Sequence, residues 1–485
     1  MAMRDFSLMG IDIGTSTIKV LLWRQDGGFR TVRRPAKDSY VEVFGTGISE
    51  QDPTKLWQIV TECIKEALMG FDARTVRGVG LSGHGPSLAA VSSCGNPASN
   101  IITWMDPRPV MAADSQDGFR GPSFEATARW IHRRLESCGK GKVRDSLVYM
   151  LQPKDYVGFR LTGKMLIDSS AASCMTWFSD NADTGGTAQE DPAAKLFPEA
   201  VDPWDALGFV TREASEETGL PAGIPVAAGS IDAFVETLGA GVIESGLMCD
   251  STGTSTCVSI QADDGCSVQV VKNVIPGKKL IVQPVSLSGG CLAWAMSLLF
   301  PDVYNGGLDW GETVREALER TEPGASGLVF LPYLVGKRSP VAVPKATGAF
   351  LGLRPEHTPY HMLRAVLEGC TYAVLRVIET CKDFRNVTEI RAVGNGAMHS
   401  GWLKMKADVL NLPAASMKVK EGTLLGAAIL GGLAAKVFGS AKEAVERMVS
   451  IDDVFMPDET EDDGYRQGYA AFCKAEEVMM DFWHG

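Results

Sequence analysis

One short pattern occurs twice in the chain, and it constrains the fold more than any other feature. Asp12-Ile13-Gly14-Thr15-Ser16-Thr17 interrupts an apolar run from Leu8 to Trp23. Asp250-Ser251-Thr252-Gly253-Thr254-Ser255-Thr256 follows Cys249 near the start of the second half, again with apolar residues behind it at Val258 and Ile260. Each copy sets an acid ahead of Gly-Thr-Ser-Thr. In the first, strand-forming residues stand on both sides and Asp26-Gly27-Gly28 turns the chain, which describes a β-hairpin with a polar corner. Small residues leave backbone N–H groups free to wrap phosphate oxygens, and Thr or Ser hydroxyls add donors. Taken singly, either copy also fits an ordinary hairpin turn. As a pair they describe a duplicated domain with one phosphate loop per copy, at Thr15-Ser16 and at Gly253-Thr254-Ser255. Asp12 is placed to hold Mg²⁺, usually through water because that ion dehydrates reluctantly, and Lys19 to reach a phosphate. Neither loop is a G-x-x-x-x-G-K-[ST] motif.

The 485 residues amount to about three domain-equivalents, hence two large domains or three ordinary ones. Apolar residues at 45% and charged residues at 22% exclude a disordered or fibrous chain. A net charge of −12 argues against nucleic acid or an anionic membrane as the main partner. The 11 cysteines are scattered without a C-x-x-C, so neither a disulfide framework nor a zinc ribbon is indicated, and a reducing compartment fits best. Met1 to Gly10 lacks the apolar core of a signal peptide. The most apolar stretch, Thr423 to Ala435, is too short to span a bilayer. These features predict a soluble, cytoplasmic protein.

Asp52-Pro53 starts a helix, with Asp as N-cap and Pro at the first helical position, and Leu56, Ile59, Val60, Cys63, Ile64 and Ala67 continue its spacing. Val79 to Leu81 reads as a buried strand. Strand and helix alternate to about Gly241, the pattern of an α/β domain, with Asn181 to Lys195 as a surface insertion. In the second half, Thr358-Pro359 opens a helix to about Cys381, and Trp402 to Leu410 forms another. The reading gives an N-terminal domain over 1–245, a C-terminal domain over 246–438, and an acidic tail over 439–485. The tail is expected to be helical at both ends and packed on the second domain; it is also a candidate contact for a homodimer.

Asp232, in Ala228-Gly229-Ser230-Ile231-Asp232, follows an apolar strand, where α/β sheets place their chemistry. It could take a proton from an attacking hydroxyl or cap the helix that Val235 and Leu238 continue. Gly83-His84 lies in a glycine-flanked turn after a buried strand. Trp104-Met105-Asp106-Pro107-Arg108 combines an aromatic face with an acid and a base, a mixture suited to polyols. Both segments, like Lys154-Asp155-Tyr156, are also compatible with structural turns. The close-set glycines of Gly394-Asn395-Gly396-Ala397 would let a flat ligand such as adenine approach the backbone. The histidines are dispersed and no G-x-S-x-G occurs, so metal clusters and a serine hydrolase are not supported.

Taken together, these residues resemble the FGGY carbohydrate kinases of the sugar kinase–actin–heat-shock-protein ATPase superfamily. Gly348-Ala-Phe350-Leu-Gly352-Leu353, seven residues, then His361-Met362-Leu-Arg-Ala365-Val366-Leu367-Glu368 fits that family's C-terminal signature. Leu331-Pro332-Tyr333-Leu334, Lys154-Asp155-Tyr156 and Gly426-Ala427-Ala428 are similar to family sequence as well, and the matches run from about Gly10 to Leu433. The resemblance implies an α/β fold of two ribonuclease-H-like, actin-like ATPase domains flanking a catalytic cleft. It implies ATP and Mg²⁺ as cofactors and a small sugar as substrate. By the same resemblance Asp232 is the general base and Asp12 organises Mg²⁺, while Thr15, Lys19, Gly253 and Thr254 contact phosphates. Gly394 to Ala397 line the adenine and ribose pocket, and Gly83, His84, Trp104 and Asp106 hold the sugar. The xylulokinase-like branch has Gln-Met-His-Gly where this chain has Ser82-Gly83-His84-Gly85. The kept histidine and glycine point to a ketopentose such as xylulose. The smaller Ser and Gly open room for another pentulose, a hexulose or a polyol. A non-kinase ATPase switch of the same superfamily would keep Asp12 and both loops without needing Asp232, His84 and Trp104.

Overall fold

The apolar residues on either side of Gly14 pair as antiparallel strands, Ser7–Ile13 with Thr17–Arg24, from Ser7 opposite Arg24 to Ile13 opposite Ile18. The Gly14 N–H closes the corner on the Thr17 carbonyl at 3.1 Å. The second copy repeats this: Leu247–Thr252 pairs with Thr256–Ala262, and the Gly253 N–H donates to the Ser255 carbonyl at 3.0 Å. The match holds for the loops and fails for the acids. Asp12 stands two residues before its loop glycine and Asp250 three, so strand alternation turns them to opposite faces. Ser251, one residue later than Asp250, occupies the place corresponding to Asp12.

In the computed structural model, which describes residues 5–41, 47–113, 122–137, 148–178, 191–263, 265–266, 268, 270–458 and 462–484, the two hairpins seed two sheets whose central strands follow the same order, while the edge strand precedes its neighbour in the chain in the first sheet and follows it in the second. The first runs, edge to edge, Ala206–Phe209, Pro225–Ala227, Val76–Gly83, Ser7–Ile13, Thr17–Arg24 and Phe29–Pro35. The second runs Ile451–Phe455, Ala414–Met417, Glu389–Val393, Leu247–Thr252, Thr256–Ala262 and Lys279–Ser286. In each, the hairpin's first strand lies parallel to its neighbour on the other side, and the strand beyond that is parallel too. Helix Pro53–Leu68 covers the first sheet. The Asp52 side chain accepts from the Thr54 and Lys55 amides at 2.8 and 3.3 Å, and Leu56, Val60, Cys63 and Ile64 are buried in one core with Ile11, Val20 and Val79. Helix Pro359–Thr380 opens on Thr358 and Pro359 as the sequence indicates.

The chain divides into two units that do not follow sequence order. The first is Met1–Gly239, Val271–Lys278 and Thr423–Met448; the second is Ala240–Val270, Lys279–Gly422 and Val449–Gly485. Residues 423–448, which sequence position assigns to the second half, lie in the first unit because helix Gly422–Ala434 rests directly on its sheet. A Cβ at Gly10 would collide with the Leu424 carbonyl, and one at Gly80 with the Ala427 carbonyl. The apolar 423–435 stretch is therefore a helix that uses small residues to reach a sheet backbone. Among the described residues no helix is long and apolar enough to cross a membrane.

The tail is helical at both ends, in Ala441–Met448 and Asp462–His484. The first of these helices belongs to the first unit, and the last buries Phe472 and Trp483 in the core of the second. Buried Glu476 accepts from Lys337 at 2.7 Å and from the Tyr333 hydroxyl at 2.5 Å. Between the two helices, Ile451–Phe455 adds an edge strand that its exposed acids hide from sequence reading. Most of the insertion read at Asn181–Lys195 lies outside the described residues. Ten cysteines are described, and all are free thiols.

Gly80→Ala should therefore destabilise the protein by roughly 1–3 kcal/mol, towards the upper end because the obstacle is backbone. Urea denaturation reads this as a lower midpoint at unchanged slope; an unchanged midpoint would contradict the close approach.

Candidate active site

Three adjacent parallel strands of the first unit end together. Asp12 is in register with Ser82, and Ser82 with Ser230; one residue on, Ile13, Gly83 and Ile231 are aligned. The chain then leaves as the Gly14 loop, the His84 turn and helix Asp232–Gly239. Asp12, Gly83-His84 and Asp232 thus share the carboxyl edge of one sheet, the usual place for α/β chemistry. Gly229 turns the chain into this edge at φ +64°, with no room for a Cβ beside the Leu81 carbonyl.

Asp232 Oδ1 accepts the N–H of Ala233 at 2.7 Å. An N-cap side chain would instead bond the second or third amide of the helix, so capping does not account for this carboxylate. It is half-buried, open to an approaching group yet set in dense protein. Burial first, and the Asp12 carboxylate second, push its pKa up to about 7, against the opposing pull of the Ala233 amide and the Lys19 ammonium. Lys19 faces Asp12 across the hairpin register. Asp12 is buried, and its Oδ2 accepts the Thr423 hydroxyl at 3.3 Å. Among the described residues no group of three or more His, Cys, Asp or Glu could cage a metal. Mg²⁺ does not need one: it keeps several waters and binds through one or two carboxylates. Asp12 has the hard carboxylate oxygens that such an ion requires.

A buried charge cluster holds the segment ahead of Asp232. Lys154 Nζ lies 2.8 Å from Asp168 Oδ2, bonds Asp155 and reaches the Ala228 carbonyl at 3.4 Å. Asp168 Oδ1 accepts the Ser230 hydroxyl at 2.6 Å and the Ala171 amide at 2.8 Å. Burial alone would lower the Lys154 pKa, but the two carboxylates outweigh it and hold it raised. Burial carries Asp155 up to about 6. Sequence left Lys154-Asp155 ambiguous and offered no signal for Asp168, Ser230 or Thr423, whose partners are remote in the chain.

The expected sugar-facing residues form a hydrogen-bonded chain to the first loop. His84 is buried; its Nδ1 lies 2.8 Å from the Ser87 hydroxyl and its Nε2 3.2 Å from Gln51 Oε1. Burial pushes the ring pKa down to about 4. This histidine is a neutral strut with both nitrogens engaged. Ser87 Oγ also accepts the Trp104 amide at 3.0 Å, and the Trp104 indole N–H donates to Thr15 Oγ1 at 3.0 Å. Asp106 accepts the Ser49 amide at 3.0 Å and the Arg108 guanidinium at 2.7 Å, while Arg108 also bonds Glu50 at 2.5 Å. Burial would raise the Asp106 pKa, but Arg108 and the Ser49 amide keep it below the usual carboxylate range.

In the second unit, Gly253, Thr254 and Ser255 form the hairpin corner, with Thr254 exposed. Gly394, at φ +78°, sits against the Thr252 carbonyl, and Gly396 packs on the Thr252 side chain. Asn395 is exposed and Ala397 buried. The Gly290 N–H, at the start of helix Gly289–Leu299, donates to the Thr254 carbonyl at 2.9 Å. That Ser288-Gly289-Gly290 helix start has the composition of an anion-facing turn and escaped the sequence reading.

Residues 7–117 match the N-terminal domain of the FGGY family of carbohydrate kinases, and residues 248–435 match its C-terminal domain. The chain belongs to the FGGY family of carbohydrate kinases. It is a sugar kinase, a phosphotransferase with an alcohol group as acceptor, and a kinase of this family implies ATP use. The chain is 27% identical to a xylulose kinase of Staphylococcus epidermidis over 489 residues, covering 96% of this chain and 95% of that one. Its fold is that of two solved structures from Lactobacillus acidophilus. A ligand-bound xylulose kinase matches with a TM-score of 0.80 at 22% identity over 98% of each chain. A gluconate kinase matches with a TM-score of 0.80 at 21% identity over 98% of each chain.

The raised Asp232 pKa has a consequence for stability. Below about pH 4 the carboxyl is protonated in both folded and unfolded chains. Between there and about pH 7 the unfolded chain ionises while the folded one holds its proton, so stability falls as pH rises, and the loss is complete above about 7. Asp232→Asn lacks this penalty. Its Tm should equal that of wild type near about pH 4 and exceed it increasingly up to about pH 7; a constant difference would contradict the shift.

Proposed function

We propose that this protein phosphorylates one hydroxyl of a neutral ketopentose of the xylulose type from Mg-ATP, with Asp232 as general base. The observation that carries the reading is geometric: a half-buried carboxylate at the ends of adjacent parallel strands, near a second one, and burial with that neighbour pushes its pKa up to about 7. A base tuned near the working pH combines the ionised form with useful proton affinity. Asp232 takes the hydroxyl proton as the sugar oxygen forms its bond to the γ-phosphorus and the bond to the β,γ-bridging oxygen breaks, leaving ADP. Asp12 would hold Mg²⁺; when bound, that ion neutralises charge on the phosphate oxygens. Thr15, Ser16 and Lys19 are the proposed phosphate donors of the first loop, and Gly253, Thr254 and Ser255 those of the second. Gly394 to Ala397 offer backbone to the adenosine. Trp104, aligned by Thr15 and the Ser87–His84 strut, gives the sugar an aromatic face.

Two features favour a ketopentose over a sugar acid. The similar Staphylococcus protein is named a xylulose kinase. Arg108 and Lys154, cations close in the fold to these residues, are each engaged by two carboxylates, which opposes their use on an anionic substrate. The free thiols fit a reducing compartment, so the proposed setting is the cytoplasm.

ADP release from Mg-ATP, measured against pentuloses, hexuloses, polyols, glycerol and aldonic acids, tests the reading. One pentulose should dominate, and Asp232→Asn should reduce its turnover by about 10²-fold or more while still binding ATP. Normal turnover in the variant would remove Asp232 from the mechanism, and sugar-independent ADP release in both proteins would sink the kinase assignment of these residues.

A further inference from the structure

The second unit buries a charge network that the mechanism above does not use. Lys406, in helix Ser400–Leu410, is almost fully buried. Its Nζ lies 2.6 Å from Asp250 Oδ2 and 2.8 Å from Thr252 Oγ1. It also packs 4.9 Å from the centre of the Trp402 ring. Thr252 donates to Asp250 Oδ1 at 2.7 Å and shares a 2.9 Å hydrogen bond with Thr256. Asp250 and Thr252 belong to the strand that runs into Gly253-Thr254-Ser255, and Thr256 opens the strand that leaves it. Lys406 belongs to the helix that follows the Gly394–Ala397 turn, and both glycines of that turn lie against Thr252.

One node therefore joins two backbone segments that share no covalent neighbour. On one side is the loop assigned to phosphate, and on the other the turn assigned to adenosine. A buried ammonium needs a partner to offset its desolvation. The carboxylate and hydroxyl that supply it fix the helix, and with it the glycine turn, against the loop strand. Apolar packing could join the same elements, but it is less directional than three hydrogen bonds meeting at one threonine.

We infer that Lys406, through Asp250 and Thr252, is a positioning residue for the nucleoside triphosphate. It holds the second phosphate loop and the adenosine-facing turn at the spacing one nucleotide must span. This rests on the nucleotide role proposed above for those two segments. Lys406 itself does not touch the nucleotide; it acts through Thr252.

The test measures binding of a non-hydrolysable ATP analogue by titration calorimetry, KM for ATP and for the sugar, and Tm. It compares wild type, Lys406→Met, and the double variant Asp250→Asn with Lys406→Gln, which removes both charges and keeps hydrogen-bonding groups. Lys406→Met should weaken analogue binding and raise the KM for ATP by about tenfold or more, with the sugar KM within twofold. The double variant should regain Tm without regaining full nucleotide affinity. Wild-type analogue affinity in either folded variant would overturn the inference. So would parallel recovery of Tm and affinity in the double variant, because the network would then be structural only. If Lys406→Met does not fold, the double variant decides alone by the same affinity criterion. Wild type that fails to bind the analogue at all would instead count against the nucleotide role of the two segments, and the inference would fall with it.

Discussion

Two carboxylates, Asp12 and Asp232, end strands on either side of Val76–Gly83, close enough to feel each other's charge. Placing like charges in a partly desolvated corner is unfavourable, and a chain selected only for stability would avoid it. Here the repulsion, added to burial, lifts Asp232 to about 7. The same surroundings that make ionisation costly make the carboxylate a competent base near neutrality. Gly83, on the strand between them, lets Lys154 pack close, where a Cβ would meet the Lys154 Cβ at 3.1 Å.

Most of the surrounding structure of the first unit holds this corner in place. The Lys154–Asp168–Ser230 cluster fixes the residues leading into Asp232, and Gly10 and Gly80 let helix Gly422–Ala434 lie close enough for Thr423 to reach Asp12. The His84–Ser87–Trp104–Thr15 chain connects the expected sugar face to the loop at Gly14–Ser16. Each includes a buried or part-buried hydrogen bond, and directional links of this kind specify position where apolar packing specifies only proximity. The second unit uses the same device beneath its own loop, with Lys406 at the centre.

How much of this was legible in the sequence depended on range. The hairpins, the Asp52-Pro53 and Thr358-Pro359 helix starts and the duplication rest on residues adjacent in the chain, and they were readable. Asp232 stood out because strand, glycine and acid are consecutive. Lys154, Asp168 and Ser230 meet only in the folded chain, so each looked ordinary alone. Asp250 aligns with Asp12 in the sequence pattern, but the one extra residue before Gly253 turns it to the other face, where it pairs with Lys406. The glycines of 423–435 were visible as composition, but the sheet they approach is hundreds of residues away. His84 drew notice for its glycine neighbours, whereas its pairing with Gln51 and Ser87 could not be read from them.

The pH dependence of kcat/KM for the preferred sugar, at saturating Mg-ATP, tests the central claim most directly. As the proposed base, Asp232 has to be ionised to accept the hydroxyl proton, so the profile should rise with pH along an acidic limb that burial of the carboxyl places above the usual carboxylate range. The limb should vanish from the residual activity of Asp232→Asn. A profile flat between about pH 5 and 8, or the same limb in the variant, would contradict the account.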